Sequence, residues 1–160
     1  MKTNKIRGFE TVSRLKTEEL LTFRMPRRST SKSAGYDIYN NTGKDIILEP
    51  GELSEKIDTG LKSYMLDDEV LTLFPRSGHG FKYSVRLANT VGIIDPDFYD
   101  NPSNEGEMGL KLHNQGSKQL IIKSGEAMMQ GIFIKYLITD DDADTVGGER
   151  LSGIGSTSGT

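Results

Sequence analysis

The sequence predicts an all-β fold: a sandwich, a jelly roll or a barrel. Three observations carry that expectation. Short β-rich runs recur along the chain, turn-forming residues separate them at regular spacing, and helical periodicity is scarce. The one fair helical candidate is residues 13–22. Strands are expected at 34–39, 45–48, 53–59, 70–74, 85–89, 109–113, 119–122 and 129–138. Their boundaries are set by Asn41-Thr42-Gly43, Glu49-Pro50-Gly51, Thr59-Gly60, Asn114-Gln115-Gly116 and Ser124-Gly125, all residue types that favour turns. No internal repeat is present.

A chain of 160 residues suits one domain with a real core. Only 34% of it is hydrophobic, which is low for a self-sufficient monomer and suggests that other subunits complete part of the core. The net charge of −3 argues against a nucleic-acid surface, although an enzyme for free nucleotides needs only local basic residues. With no cysteine there is no disulfide framework and no thiolate metal site, which fits a reducing compartment. Neither a signal peptide nor a membrane span is expected, and a cytoplasmic location follows as the expectation. Residues 1–139 read as the folded domain, and 140–160 as an acidic linker followed by a Gly- and Ser-rich arm. Such an arm cannot pack a core; it is either a frayed end or a flap that orders over a ligand.

Two stretches carry chemistry. Ala88 to Phe98 reads as a strand, a tight turn at Gly92, a short apolar return through Ile93 and Ile94, and then acids. Asp95, held by a rigid hairpin, is the candidate general base, with the ring of Phe98 three residues on. Gly92 allows the close approach of a ligand. Upstream, Pro75-Arg76-Ser77-Gly78-His79-Gly80 reads as a turn that offers a guanidinium, a hydroxyl and backbone N–H groups to phosphate oxygens. Arg76 has a plainer alternative as a solvated strand-end charge. Asn89 either contacts the ligand through its amide or closes the turn. Gln130 stands on an otherwise apolar strand, satisfied by backbone or aimed into the site. Base and cradle together suggest hydrolysis of a phosphorylated ligand.

Five motifs in order then resemble one family, the trimeric all-β dUTP pyrophosphatases (dUTPases). They are Ser33-Ala34-Gly35-Tyr36-Asp37; Pro75-Arg76-Ser77-Gly78; Asn89 through Phe98; Gly125-Glu126 through Gln130 and Phe133; and Gly153-Ile154-Gly155-Ser156-Thr157. Arg7-Gly8-Phe9-Glu10 and Met25-Pro26-Arg27-Arg28 are similar to Gram-positive bacterial or phage members. The resemblance implies a distorted jelly-roll (β-clip) subunit in a homotrimer, with a swapped, flexible C-terminal arm and sites built from all three chains. It implies dUTP as substrate, dUMP and pyrophosphate as products, and water attacking the α-phosphorus with Asp95 as base. Mg²⁺ would be held on the triphosphate, with Asp37 reaching it through water. Arg76, Ser77, Gly78 and Gln130 would meet phosphate oxygens. Gly92, Ile93 and Ile94 would present backbone to uracil, with Asn89 and Gly109 completing the substrate contacts. Phe98 would pack under deoxyribose where the family usually has Tyr, or else belong to the core. From the arm, Arg150 would meet the γ-phosphate, and Ile154, Gly155 and Ser156 would close the site.

Several positions depart from the family pattern. Ile154 replaces a stacking Phe, and Arg150 lies four residues before it, one fewer than in many relatives. Ala127 replaces an Arg, His79 an apolar residue, and the loop over residues 99–105 is longer than common. Two rival readings remain. One is a dCTP deaminase-like enzyme on the same fold. The other is a nucleotide-responsive regulator that binds a repressor protein, a role to which the longer loop and the altered arm would lend themselves.

Overall fold

The structure, a computed structural model, describes residues 5–145. In chain order the strands are β1 (Gly8–Thr11), β2 (Arg27–Arg28), β3 (Tyr36–Tyr39), β4 (Ile46–Leu48), β5 (Ile57–Asp58), β6 (Leu61–Tyr64), β7 (Glu69–Pro75), β8 (Val85–Leu87), β9 (Gly92–Ile94), β10 (Gly109–Leu110), β11 (Leu112–Asn114), β12 (Leu120–Ile122) and β13 (Ala127–Lys135). Helical segments are short: α1 (Thr17–Thr22), α2 (Ser77–Tyr83), α3 (Asp142–Thr145) and a 3₁₀ turn (Pro96–Phe98). The architecture is all-β and jelly-roll-like.

The main sheet has the order β2-β3-β13-β7-β9, every neighbour antiparallel. Four two-stranded ladders, β1-β6, β4-β12, β5-β10 and β8-β11, complete the subunit. Ile38, Leu71 and Met129 of the main sheet share one apolar cluster with Leu112, Leu120 and Ile122 of the ladders. Burying each such side chain is worth about 1.5–3 kcal/mol relative to exposure. Two buried amides fix the turns beneath this core. Asn40 Nδ2 donates to Lys44 O at 2.9 Å and Ile122 O at 3.2 Å, and Asn114 Nδ2 donates to Leu48 O at 3.0 Å and Lys118 O at 2.8 Å.

The expected elements are corrected in several places. The helix over 13–22 shrinks to α1, because Ser13 and Arg14 are used elsewhere. Lys16 N is satisfied by the Glu19 carboxylate at 2.9 Å, which marks the true start. The strand over 53–59 survives only as β5, since Ser54 Oγ accepts the Leu112 N–H in place of a ladder carbonyl. The strand over 109–113 breaks into β10 and β11 at Lys111, whose carbonyl turns to accept Ala88 N. The last strand runs Ala127–Lys135 rather than 129–138. Part of the acidic linker, Asp142–Thr145, forms a helical turn. Strands β1 and β6 were not expected at all.

The longer loop, residues 99–107, is ordered by charge. Glu105 accepts from Ser13 Oγ at 2.6 Å, from Ser13 N at 2.9 Å and from Lys62 Nζ at 2.8 Å. Lys62 also pairs with Asp100, and Arg14 with Glu107. Tyr99 donates its hydroxyl to Glu10 at 2.6 Å, and that carboxylate pushes the phenol up to about 12. Burial alone would lower the Lys62 ammonium, but its two carboxylate partners outweigh that and raise it. The loop thereby fastens the N-terminal strand to β6.

Lys62, with the Ser13 hydroxyl and N–H, holds the Glu105 carboxyl down to about 2 from an ordinary 4.5. A folded-state pKa below the unfolded one means that the contribution to stability is full above the ordinary value and fades as pH falls through the folded one. Thermal unfolding should therefore show a midpoint that declines as pH is lowered from about 5 towards about 2. Glu105→Gln should lower the midpoint at neutral pH and flatten that decline. An unchanged acid limb in the variant would show that Glu105 takes no part in it.

Candidate active site in two halves

The first half forms where β3, β13 and β7 run side by side. Gln130 lies opposite Asp37 on one neighbour and Phe74 on the other. Directly opposed antiparallel residues share a face, so Asp37 and Gln130 point the same way. Asp37 accepts from Ser29 Oγ at 2.7 Å and from Arg76 Nε at 3.1 Å. The guanidinium is thus oriented by a carboxylate while its side chain stays 37% exposed. Gln130 Nε2 donates to Pro75 O at 3.3 Å. A Cβ on Gly35 would come within 2.5 Å of Gln130 Oε1, so glycine there leaves room for the amide.

Pro75-Arg76-Ser77-Gly78-His79-Gly80 is not the turn expected from its glycines. Ser77–Tyr83 is a helix, α2, with Arg76 at its N-cap and Gly80 N donating to Arg76 O at 2.9 Å. Ser77 and Gly78 are exposed in its first turn, where backbone N–H groups lack intrahelical acceptors. His79 is buried beneath, and that burial pushes its imidazole down. A bond to the Met128 backbone opposes the shift, while the Arg76 charge adds to it. His79 serves here as an anchor for α2.

The second half lies along β9. The tight turn sits at Asn89-Thr90 rather than at Gly92: Thr90 has φ 69, Thr90 N donates to Leu87 O at 2.9 Å, and Val91 N to Asn89 O at 2.8 Å. Nor do the flanking strands form a paired hairpin. β8 pairs with β11, β9 pairs with β7, and only a Leu87–Thr90 bridge links the two arms. Gly92 is required for packing: a Cβ would sit 2.8 Å from Leu73 Cβ. β9 is the last strand of its sheet, so alternate backbone groups of Gly92, Ile93 and Ile94 face away from β7. Ile93 is exposed and Ile94 points into the core.

Asp95 follows β9 at the N-cap of the 3₁₀ turn and is half-buried. With Asp67, Pro96, Asp97 and Tyr136 it lines an open concavity of about 470 Å³. Phe98 is 7% exposed and belongs to the apolar cluster, so its ring is first a core residue. Gly109 lies outside both halves: in β10 it faces Asp58, and a Cβ would strike Lys56 Cε at 2.4 Å. Arg150, Ile154, Gly155 and Ser156 lie outside the described residues.

The two halves are not together in one chain. Leu71 of β7 pairs with Ile94 and Leu73 with Gly92, so Asp95 lies towards the start of β7. Arg76 follows its end. Six residues of strand separate those levels, about 20 Å at roughly 3.3 Å per residue. The presence of Asp67 and Tyr136 beside Asp95 agrees, since both flank the Glu69–Lys135 end of the β7-β13 ladder. A carboxylate with an open strand edge stands at one end, and a cationic, amide-rich cradle at the other.

Comparison with known proteins gives a consistent result. A model of the dUTPase family matches residues 22–158. The deoxyuridine 5'-triphosphate nucleotidohydrolase of Lactococcus lactis is 42% identical over 153 residues, covering 96% of this chain and 98% of that protein. The crystal structure of the dUTPase from Streptococcus mutans superposes with a TM-score of 0.69 at 35% identity, over 83% of this chain and 98% of that one. A variant of the Staphylococcus bacteriophage 80alpha dUTPase shares the fold, with a TM-score of 0.62 at 21% identity over 86% and 94% of the two chains.

Proposed function

This chain belongs to the dUTPase family, and from that premise we propose that it hydrolyses dUTP to dUMP and pyrophosphate at a site shared between copies. The observation that supports a shared site is the separation of Asp95 from Arg76 along β7. One copy supplies the base and the nucleobase wall, and a neighbour supplies the phosphate cradle. Family resemblance makes the assembly a homotrimer, and the modest hydrophobic content fits such an assembly.

In this reading Asp95 orients a water and takes its proton as the water oxygen bonds to the α-phosphorus. The bond from that phosphorus to the bridging oxygen breaks, and pyrophosphate leaves. Arg76, held by Asp37, stabilises charge on the phosphate oxygens together with Ser77, the Gly78 backbone and Gln130. The outward edge of β9 offers donors and acceptors to uracil, and Ile93 and Asn89 line its approach. Cytosine would leave a buried group unpaired, a strong ground for rejection. Phe98 shapes the wall from the core side. Arg150, Ile154, Gly155 and Ser156 are proposed to close the site from the C-terminal arm.

Asp37 already uses both carboxylate oxygens, one for Ser29 and one for Arg76. Among the described residues no cluster of three or more His, Cys, Asp or Glu could hold a metal ion. Those donors fit a Mg²⁺ that arrives on the triphosphate and reaches Asp37 only through water. When bound, the ion neutralises phosphate charge.

No helix among the described residues is long and apolar enough to cross a membrane; a cytoplasmic location is proposed from the family resemblance. Control of virulence-gene transfer, described for phage dUTPases such as that of bacteriophage 80alpha, belongs to those proteins. Here the loop over 99–107 commits its charges to Ser13, Arg14 and Lys62 of its own chain, so we place no repressor contact there. A pulldown with and without dUTP tests for a regulatory partner.

Pyrophosphate release should be measured with dUTP, dTTP, dCTP and UTP. Release from dUTP alone is expected. Comparable release from dTTP or UTP would sink the proposed pocket, and ammonia from dCTP would move the chain to the deaminase reading.

A further inference from the structure

The loop over residues 99–107 contains an amide that the reaction scheme above does not use. Asn101 is 4% exposed, and its side chain is saturated. Nδ2 donates to Phe98 O at 2.8 Å and to Asn104 Oδ1 at 2.7 Å. Oδ1 accepts from Ser103 Oγ at 2.8 Å, Ser103 N at 3.1 Å and Asn104 N at 3.2 Å. A buried amide with both donors and its acceptor engaged is a rigid strut.

What it braces is the segment that carries Asp95. Phe98 N donates to Asp95 O at 3.1 Å, which closes the 3₁₀ turn. At its start the turn is fixed by the β9-β7 ladder. At its exit the backbone bonds are long, 3.4 Å for Tyr99 N to Pro96 O and 3.4 Å for Asn101 N to Phe98 O. The Asn101 side chain adds a shorter bond to the Phe98 carbonyl, 2.8 Å. The network continues outward, since Asn104 Nδ2 donates to Glu107 O at 3.1 Å and Glu107 accepts the Gly60 N–H at 2.8 Å. The Asp95 segment is thus tied through Asn101 to the main body of the subunit.

We propose that Asn101 is a positioning residue for the hydrolysis, holding the 3₁₀ turn so that the Asp95 carboxylate keeps its aim. The inference rests on the assignment of Asp95 as base. It acts on the base rather than on nucleotide affinity, because the uracil wall belongs to β9 and the phosphate cradle to a neighbouring copy.

Asn101→Asp is the informative change. One oxygen still accepts from Ser103 and Asn104, while the ionised carboxylate can donate neither to Phe98 O nor to Asn104 Oδ1, so circular dichroism and the thermal midpoint are read alongside the kinetics. Misplacing a reacting group by about an ångström costs on the order of 100-fold, so kcat should fall by about 10- to 100-fold. KM and the affinity for a non-hydrolysable dUTP analogue should stay within about twofold. A residue that matters only for folding would instead lower activity in proportion to the folded fraction, with circular dichroism and the thermal midpoint changing alongside. That outcome, or an unchanged kcat in folded protein, overturns the proposal. Should Asn101→Asp not fold, Ser103→Ala removes a single hydroxyl from Asn101 Oδ1. A severalfold drop in kcat at constant KM then supports the proposal, and no change overturns it. Asp95→Asn is assayed in parallel. Normal turnover in that variant would remove the base and this inference with it, whereas loss in Asp95→Asn beside normal Asn101→Asp removes this inference alone.

Discussion

Asp95→Asn is expected to keep the fold and nucleotide binding while turnover falls by about 10²–10⁴-fold, the usual loss when a general base is removed. The amide has the shape of the carboxylate but cannot take the proton from water. Near-normal turnover would exclude Asp95 from the mechanism. A second measurement reads the division of the site. Arg76→Ala should also be almost inactive, because the cradle loses the guanidinium that Asp37 orients. If the halves meet between copies, mixing the two dead variants and letting subunits exchange restores activity. Random 1:1 mixing in a closed trimer makes about one quarter of the sites carry both wild-type residues. If both residues serve a site within one chain, no mixture recovers anything.

Gly106→Ala should be among the most destabilising single changes in the chain. Gly106 has φ 79, and an added Cβ would lie 2.5 Å from Phe98 O, 2.9 Å from Tyr99 Cα and 3.1 Å from Asp100 N. All three are backbone atoms, so no side chain can swing aside. Left-handed conformation and backbone overlap together should cost on the order of 2–4 kcal/mol. Gly43→Ala is the matched control: φ is 77, yet nothing lies within 4 Å of the added Cβ. Its cost should be about 1 kcal/mol, the conformational part alone. Equal shifts of the urea midpoint at the two positions would show that the loop yields and that the overlap is not decisive.

The all-β architecture was legible because alternating runs and turn residues report local backbone preference. Strands such as 45–48 and 119–122 were found to within a residue. What escaped were elements decided by distant partners. β6 is Leu-Lys-Ser-Tyr, and a strand with a buried lysine makes sense only once Asp100 and Glu105 are known to meet it. Its partner β1 is equally polar. α2 was hidden by two glycines, and the helix is held there by His79, which is buried and bonds the Met128 backbone of β13. Asp37, Arg76 and Gln130, singled out by residue type, lie together in the structure. That Asp95 stands at the far end of β7 was not legible, since closeness in sequence says nothing about the direction in which an intervening strand carries the chain. Asn101 and Gly106 were passed over inside what read as a mere insertion, although an Asn-x-Ser-Asn run before Glu-Gly signals a folded turn.

The seven residues of β7 can be regarded as a gauge block. If sites are shared between copies as proposed, its two ends carry tools for different sites, and its length fixes the offset between what a subunit gives to one neighbour and what it gives to another. In a ring with rotational symmetry that offset is repeated at every step. Adding or removing two residues within the strand would keep the alternation of its faces, yet it would shift every such site of the assembly by the same roughly 7 Å. Tolerance to insertion should therefore be lowest in this strand, although none of its residues is assigned a role in the chemistry.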